Sequence, residues 1–101
     1  MDFSVIMPTR NRPQYLVQAV ESVLAQDDVT FEILVVDDGI IALPTLTDGR
    51  IKILSNNQRG PVPARNLGVA NAKGGHIAFL DDDDWWTESD FLSRAHEILM
   101  Y

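Results

Sequence analysis

Residues 31–36 of this chain read Phe-Glu-Ile-Leu-Val-Val, apolar at almost every position. A strand with one wet face alternates polar and apolar residues. Near-continuous apolarity instead requires cover on both faces, the condition of a parallel strand between two layers. The rest of the chain supplies such layers. Phe3 to Met7 is a second apolar run, stopped by Pro8. Pro13 to Ala25 places Leu16, Val20, Val23 and Leu24 at helical spacing, with Gln14, Gln18 and Glu21 between them. Ile51 to Leu54 reads as a third strand. Ala64 to Lys73 reads as a short helix, entered through Gly60-Pro61-Val62-Pro63 and ended by Gly74-Gly75. His76 to Leu80 is the fourth strand. A last helix is expected from about Glu88 to the end, with Thr87 as N-cap and Asp90 near its positive end. Its apolar stripe is Phe91, Leu92, Ala95, Ile98 and Leu99. The order β-α-β-β-α-β-α predicts an α/β fold, a three-layer α/β/α sandwich around a mainly parallel sheet.

Composition narrows the function. With 101 residues and 46% hydrophobic side chains, the chain is expected to form one domain over residues 1–101. Folding at this length buries roughly 65% of the unfolded surface, enough for one core. No repeat, linker or low-complexity segment divides it. Zero cysteines exclude a disulfide scaffold, a thiolate zinc site and a thiol nucleophile. A net charge of −7 argues against nucleic-acid binding, which needs clustered Lys and Arg. No apolar run nears the roughly 20 residues of a membrane span. Asp2 and Pro8 stand where a signal peptide needs a basic and then an unbroken apolar stretch. A soluble, acidic domain is the expectation.

The unusual polar residues all follow strands. Thr9-Arg10-Asn11-Arg12 follows the first, Asp37-Asp38-Gly39 the second, Ser55-Asn56-Asn57-Gln58-Arg59 the third, and Asp81-Asp82-Asp83-Asp84 the fourth. In a parallel sheet these segments share the carboxyl edge, where open α/β sheets bind ligands. Two clusters of carboxylates repel unless a cation sits among them. Hard cations such as Mg²⁺ or Mn²⁺ take carboxylate oxygens together with substrate phosphates. Arg10, Arg12, Arg59 and Arg65 come from the same segments, and guanidinium groups suit phosphate. Arg65 and free amides near Ala64 are expected at a helix N-terminus that favours an anion. A metal–diphosphate ligand with a polar organic group attached follows from this mixture.

The runs SVIMPTRNR, EILVVDDG and NQRGPVPARNLGVANAKGGHIAFLDDDDWW, in that order, resemble the nucleotide-sugar-binding half of family 2 glycosyltransferases of the A-type fold. The resemblance covers essentially the whole chain and is most specific from Asn57 to Asp84. It implies a Rossmann-like nucleotide-diphospho-sugar transferase fold, here truncated. It also implies inverting transfer from a nucleotide sugar, such as a UDP-sugar, to a hydroxyl acceptor that is a saccharide, lipid-linked or a protein. By resemblance Pro8, Thr9 and Arg10 line the base pocket, and Asp38 accepts a hydrogen bond from the base. Arg65 approaches the base or diphosphate. The aspartate run resembles the family's Asp-x-Asp motif, but every position is Asp, so its register is open. Asp83 is favoured for the metal, Mn²⁺ or Mg²⁺, and Asp81 or Asp82 for the ribose. Many relatives carry an aromatic at the position of Arg10. The family's usual Gly-Ser-x-Asp is replaced here by Gly39-Ile40-Ile41-Ala42-Leu43. The acceptor-binding half and the general base are expected beyond Tyr101, so no catalytic residue is assigned within the chain.

Other readings stand beside this one. The aspartates also fit a solvated turn capping the last helix, but not a calcium loop, whose sixth-position Gly would be Trp86. Of Trp85 and Trp86, one is expected to fill core space and one is available to stack on a sugar. His76 and His96 read as structural or solvent-facing. Arg12 and Arg59 are left open between site and surface. Gly60, Gly74 and Gly75 read as turn and helix-end residues, not a phosphate loop. ILVVDDG also resembles a response-regulator receiver domain, although no Met-Pro-x-x-x-Gly-like turn follows Asp81. A non-catalytic nucleotide-binding remnant is the third reading. A truncated sheet leaves an open edge and an apolar face, so a homodimer or swapped assembly is expected. Nucleotide sugars are made in the cytoplasm, the expected location, with peripheral contact to the inner membrane face through substrate or partner.

Overall fold

A computed structural model describes residues 1–99. Four strands, β1 (Phe3–Thr9), β2 (Phe31–Asp37), β3 (Ile51–Ser55) and β4 (His76–Phe79), and three helices, α1 (Pro13–Leu24), α2 (Pro61–Asn71) and α3 (Phe91–Leu99), follow in the order β1-α1-β2-β3-α2-β4-α3. The strands form one sheet in the order β3-β2-β1-β4, and every neighbouring pair is parallel. The continuous apolar runs are the two central strands: β1 and β2 are buried almost throughout, whereas β3 and β4 are partly exposed at the edges.

Strand alternation sorts the core into two layers. Phe3, Val5, Met7, Phe31, Ile33 and Val35 face α1, which brings Leu16, Ala19, Val20 and Val23, and they also meet Leu92 of α3. Ile6, Leu34 and Val36 face Ala64 and Leu67 of α2. Helix α2 lies close to the sheet. A Cβ at Gly68 would fall 2.5 Å from the Ile6 Cγ2, so this face accepts only glycine without a shift. The helices therefore cover opposite faces, the doubly wound arrangement. The order β3-β2-β1-β4 is that of the Rossmann class and not the 2-1-3 order of flavodoxin-like receiver domains, which removes the receiver reading. The crossover reverses direction between β1 and β4, and the crevice at their carboxyl ends is the switch point.

Several boundaries differ from the sequence expectation. Strand β1 continues through Pro8 to Thr9. Ile6 carries its carbonyl toward the β4 side, accepting from the Leu80 N–H, and Pro8 shares that side. Pairing with β4 ends at Ile6–Phe79, so the missing proline N–H breaks no ladder bond. Helix α2 starts at Pro61, not Ala64, because proline is suited to a first helical position and Gly60 supplies the preceding φ of 99°. It ends at Asn71, short of Lys73. Helix α3 starts at Phe91, so Thr87 lies in the preceding turn and is not its N-cap; the Asp90 carbonyl accepts the Arg94 N–H instead. Of the expected stripe Leu92 is buried and Ala95 packs against the core, but Ile98 and Leu99 are exposed. The expected continuation of this helix over residues 100–101 lies outside the described residues. Trp86 packs on the core and stacks on Phe91 at 4.7 Å between ring centroids, while Trp85 is exposed. His76 and His96 both lie beside Phe3, and His96 Nε2 is 3.5 Å from the Asp2 carboxylate.

At the amino ends of the central strands a charged side chain is buried. Glu32 Oε2 accepts the Ser4 hydroxyl at 2.6 Å and the Lys73 backbone N–H at 2.7 Å, and Lys52 Nζ lies 3.3 Å from Oε1. Ser4 Oγ in turn accepts the Gly74 N–H at 2.8 Å. Burial is the strongest single influence and disfavours the charge. The hydroxyl, the amide and the ammonium together outweigh it and hold the Glu32 carboxyl below its ordinary value.

Candidate functional site

The carboxyl ends of the strands carry a cleft of about 230 Å³ lined in part by Thr9, Arg12, Asp38, Arg65, Asp81 and Asp82. Pro8 and Arg10 line it as well, so all seven residues expected at the nucleotide are brought together there. Asp83 stands just outside, and its carboxylate lies within 4.8 Å of those of Asp81 and Asp84. The same cleft includes Arg12, which the sequence left open, Ala64, which it expected beside an anion, and Pro61, which it missed. The signal for Pro61 was the helix start: once it is the first residue, the first turn of α2 forms a wall of the cleft.

Short-range bonds fix each segment. Asn11, at φ 55°, turns the chain after β1, and its Oδ1 accepts the N–H groups of Ile40 at 2.8 Å and Ile41 at 3.0 Å. These bonds hold the apolar loop that replaces the family's polar segment. Asp38 is buried, with Oδ1 accepting from Asn56 Nδ2 at 2.7 Å and Oδ2 from the Gly60 N–H at 3.0 Å. Its carboxylate is thereby oriented at the cleft, and each oxygen keeps a second acceptor site. The side chain of Asp82 is 2% exposed, with Oδ2 taking the Thr9 hydroxyl at 2.9 Å and Oδ1 facing Arg12 Nη2 at 3.1 Å. The Asp83 side chain is 52% exposed and 3.4 Å from Arg12 Nη1. Arg65 Nη2 stands 3.8 Å from exposed Asp81.

One expectation changes here. The start of α2 is a poor amide cradle, because two of its first three residues, Pro61 and Pro63, have no N–H and the Ala64 N–H is bonded to the Gly60 carbonyl. Positive charge at the cleft comes from side chains, Arg10, Arg12 and Arg65, and not from a helix terminus. The carboxylates of Asp81, Asp83 and Asp84 are a hard, all-oxygen donor set that converges within one ion's reach, and so they fit Mg²⁺ or Mn²⁺.

A doubly wound parallel sheet with an acid- and arginine-lined cleft at its switch point defines an α/β domain built to bind a ligand across the carboxyl ends of its strands. The family model described as "Glycosyl transferase family 2" matches residues 4–98, and the chain belongs to that family. It is 47% identical over 87 residues to an uncharacterized glycosyltransferase of Rickettsia felis, covering 80% of this chain and 14% of the relative. It is 33% identical over 99 residues to WfaP of Escherichia coli, a UDP-Glc:alpha-D-GlcNAc-diphosphoundecaprenol beta-1,3-glucosyltransferase, covering 92% of this chain and 39% of that protein. Among solved structures, S. aureus TarS 1-349 in complex with UDP-GlcNAc superposes with a TM-score of 0.81 at 28% identity, over 99% of this chain and 31% of that one. The mannosyltransferase PcManGT from Pyrobaculum calidifontis, in complex with GDP-Man and Mn²⁺, shares the fold with a TM-score of 0.81 at 24% identity, over 98% and 32%. The chain thus spans between 13% and 39% of the length of the curated relatives it matches. No helix among the described residues is long and apolar enough to cross a membrane.

Proposed function

We propose that this chain is the donor-binding part of an inverting glycosyltransferase that takes a nucleotide diphosphate sugar, a UDP-sugar, together with Mn²⁺ or Mg²⁺. The observation that carries the reading is the meeting of Asp38, Arg65 and the Asp81–Asp84 loop at one switch-point cleft, in a family 2 chain. Pro8, Thr9 and Arg10 border the base, and Asp38, held from behind by Asn56 and Gly60, accepts a hydrogen bond from it. Asp81 or Asp82 accepts from the ribose; Asp81 is the exposed one on the cleft, while the Asp82 side chain is 2% exposed and faces Thr9 and Arg12. Asp83, with its neighbours, would hold the cation. A divalent cation bound there supplies Lewis-acid stabilisation of the departing diphosphate. Arg65 adds a second positive charge on the leaving side, an electrostatic contribution that grows as the bond to the sugar breaks.

The acceptor, a saccharide or lipid-linked hydroxyl, needs a general base within hydrogen-bonding reach of its proton. We place that base outside residues 1–101, in keeping with the fraction of its relatives that the chain spans. A cleft of about 230 Å³ is below the ~300–1,000 Å³ usual for small-molecule sites, which agrees with a site whose remaining walls lie elsewhere. Calorimetric titration of UDP with and without Mn²⁺ tests the reading. Metal-dependent heat that is lost in Asp83→Ala supports it. No heat from a folded chain would reduce the protein to a family member by descent.

A further inference from the structure

Arg12 is the one basic side chain among the described residues that spans two of the four rim aspartates. Its backbone is fixed on both sides: Asn11 before it is locked at φ 55° by the Ile40 and Ile41 amides, and Pro13 after it disfavours a helical conformation at Arg12, which sits at φ −132°. The two arms of its guanidinium are unequal. Nη2 is anchored at 3.1 Å on Asp82, which is buried and also tied to Thr9. Nη1 reaches half-exposed Asp83 at 3.4 Å, a long and replaceable contact.

We infer that Arg12 couples the cation to the diphosphate, so that neither fills the rim well without the other. The inference rests on the donor-site reading above. A cation held by Asp83 would sit beside the outer arm of Arg12, whose inner arm is held in place by Asp82. Cation alone therefore meets a fixed positive charge. A diphosphate would change the balance, because its negative oxygens would offset both the cation and the Arg12 guanidinium. Arg12 opposes the lone metal and favours the metal–diphosphate pair. By linkage the two ligands must help each other by the same factor.

The test follows Mn²⁺ uptake through loss of the free-ion paramagnetic resonance signal, with and without saturating UDP, on the unsubstituted chain, Arg12→Gln and Arg12→Lys. Protein-free Mn²⁺–UDP titrations supply the correction, because the diphosphate alone chelates Mn²⁺. Gln removes the charge and, two atoms shorter, also gives up the Nη2 contact with Asp82, whereas Lys keeps the charge. In the unsubstituted chain UDP should tighten Mn²⁺ about tenfold or more, within the usual range of coupling between sites. In Arg12→Gln, Mn²⁺ alone should bind several-fold tighter and the UDP effect should shrink several-fold, the remainder being the direct attraction between cation and diphosphate. Arg12→Lys should keep lone Mn²⁺ weak and retain part of the coupling, which also decides the matter should the Gln variant melt early by circular dichroism. Equal weakening of both ligands with the coupling unchanged would make Arg12 merely structural and overturn the inference while leaving the donor site intact. A folded, unsubstituted chain that takes up neither Mn²⁺ nor UDP would overturn the donor reading and this inference with it.

Discussion

The two ends of the sheet carry acidic side chains in opposite states. At the amino end Glu32 is buried, and three donors close around it: Ser4, the Lys73 N–H and Lys52. At the carboxyl end Asp81, Asp83 and Asp84 are exposed, converge within 4.8 Å, and among the described residues their side chains meet the outer arm of Arg12 and a distant Arg65. Buried charge is tolerated only where its partners are complete. Surplus acceptors persist only where water or a ligand can reach them. The closed cluster therefore serves the fold, the open one is free to meet a ligand, and each should respond to substitution accordingly.

The largest effect is expected at the closed end. Glu32→Ala leaves the Ser4 hydroxyl, an amide and a lysine without their acceptor, and should cost about 3 kcal/mol in urea unfolding. UDP affinity per folded molecule should be unchanged; a parallel loss of UDP binding would show that the two ends are not separate. Acid sharpens the point. The Glu32 carboxyl lies below its ordinary value of 4.5 in the folded chain. Its stabilisation is complete above pH 4.5 and fades as pH falls from there through the folded value. The stability gap between the native chain and Glu32→Gln should accordingly be constant near neutrality and shrink below about pH 4.5.

Asp82 tests the boundary, since it stands at the rim but is buried like Glu32. Asp82→Asn should cost about 2 kcal/mol of stability, because Thr9 and Arg12 lose a charged acceptor. It should also weaken UDP through Arg12, and a melt and a titration on the same sample separate the two losses. Asp83→Asn should do only the second. Metal-dependent UDP affinity is expected to fall at least ~tenfold, which is about 1.4 kcal/mol. Unfolding free energy should move by less than ~0.5 kcal/mol, since Asp83 is half exposed and its contact with Arg12 is long.

How much of this the sequence carried divides along the same line. Apolar runs such as FEILVV are read by burial alone, so four parallel strands, their order along the chain and the shared rim were legible from Phe3, Ile33 and their neighbours. The rim motifs were legible because Asp38 and the four aspartates follow strands directly. Which of the four is inside was not legible, since Asp81 to Asp84 are chemically identical in sequence. Only the Thr9–Asp82–Arg12 contact, 73 residues apart at its ends, distinguishes them. The start of α2 was misplaced because two prolines in Pro61-Val62-Pro63 read as loop, although a first helical turn has no need of their amides. The Glu32 cluster was also invisible, because a lone Glu in an apolar strand shows its partners only when Ser4, Lys52 and Lys73 are folded against it.

A last acid separates pairing from burial as the cause of the contrast. Asp48 lies near the amino end of β3 and is paired as fully as Glu32, but at the surface. Arg50 donates to it through Nε at 3.0 Å, through Nη2 at 2.9 Å and through its backbone N–H at 2.9 Å. The Arg50 guanidinium side chain, followed by its backbone amide, holds the Asp48 carboxyl down at about 2. Arg50 needs no acid to stay in place, since its guanidinium also lies 4.7 Å over the Phe31 ring. If pairing alone made an acid structural, Asp48→Asn would behave like Glu32→Ala. Solvent screens an exposed pair, however, and the freed groups can turn to water. We expect Asp48→Asn to leave the urea unfolding curve close to that of the native chain, and by linkage nuclear magnetic resonance should then find the native carboxyl lowered by Arg50, but by less than an unscreened pair would give. A deficit comparable to that of Glu32→Ala would assign the stability of the amino end to ion pairing, and the distinction between closed and open ends would rest on partners rather than on burial.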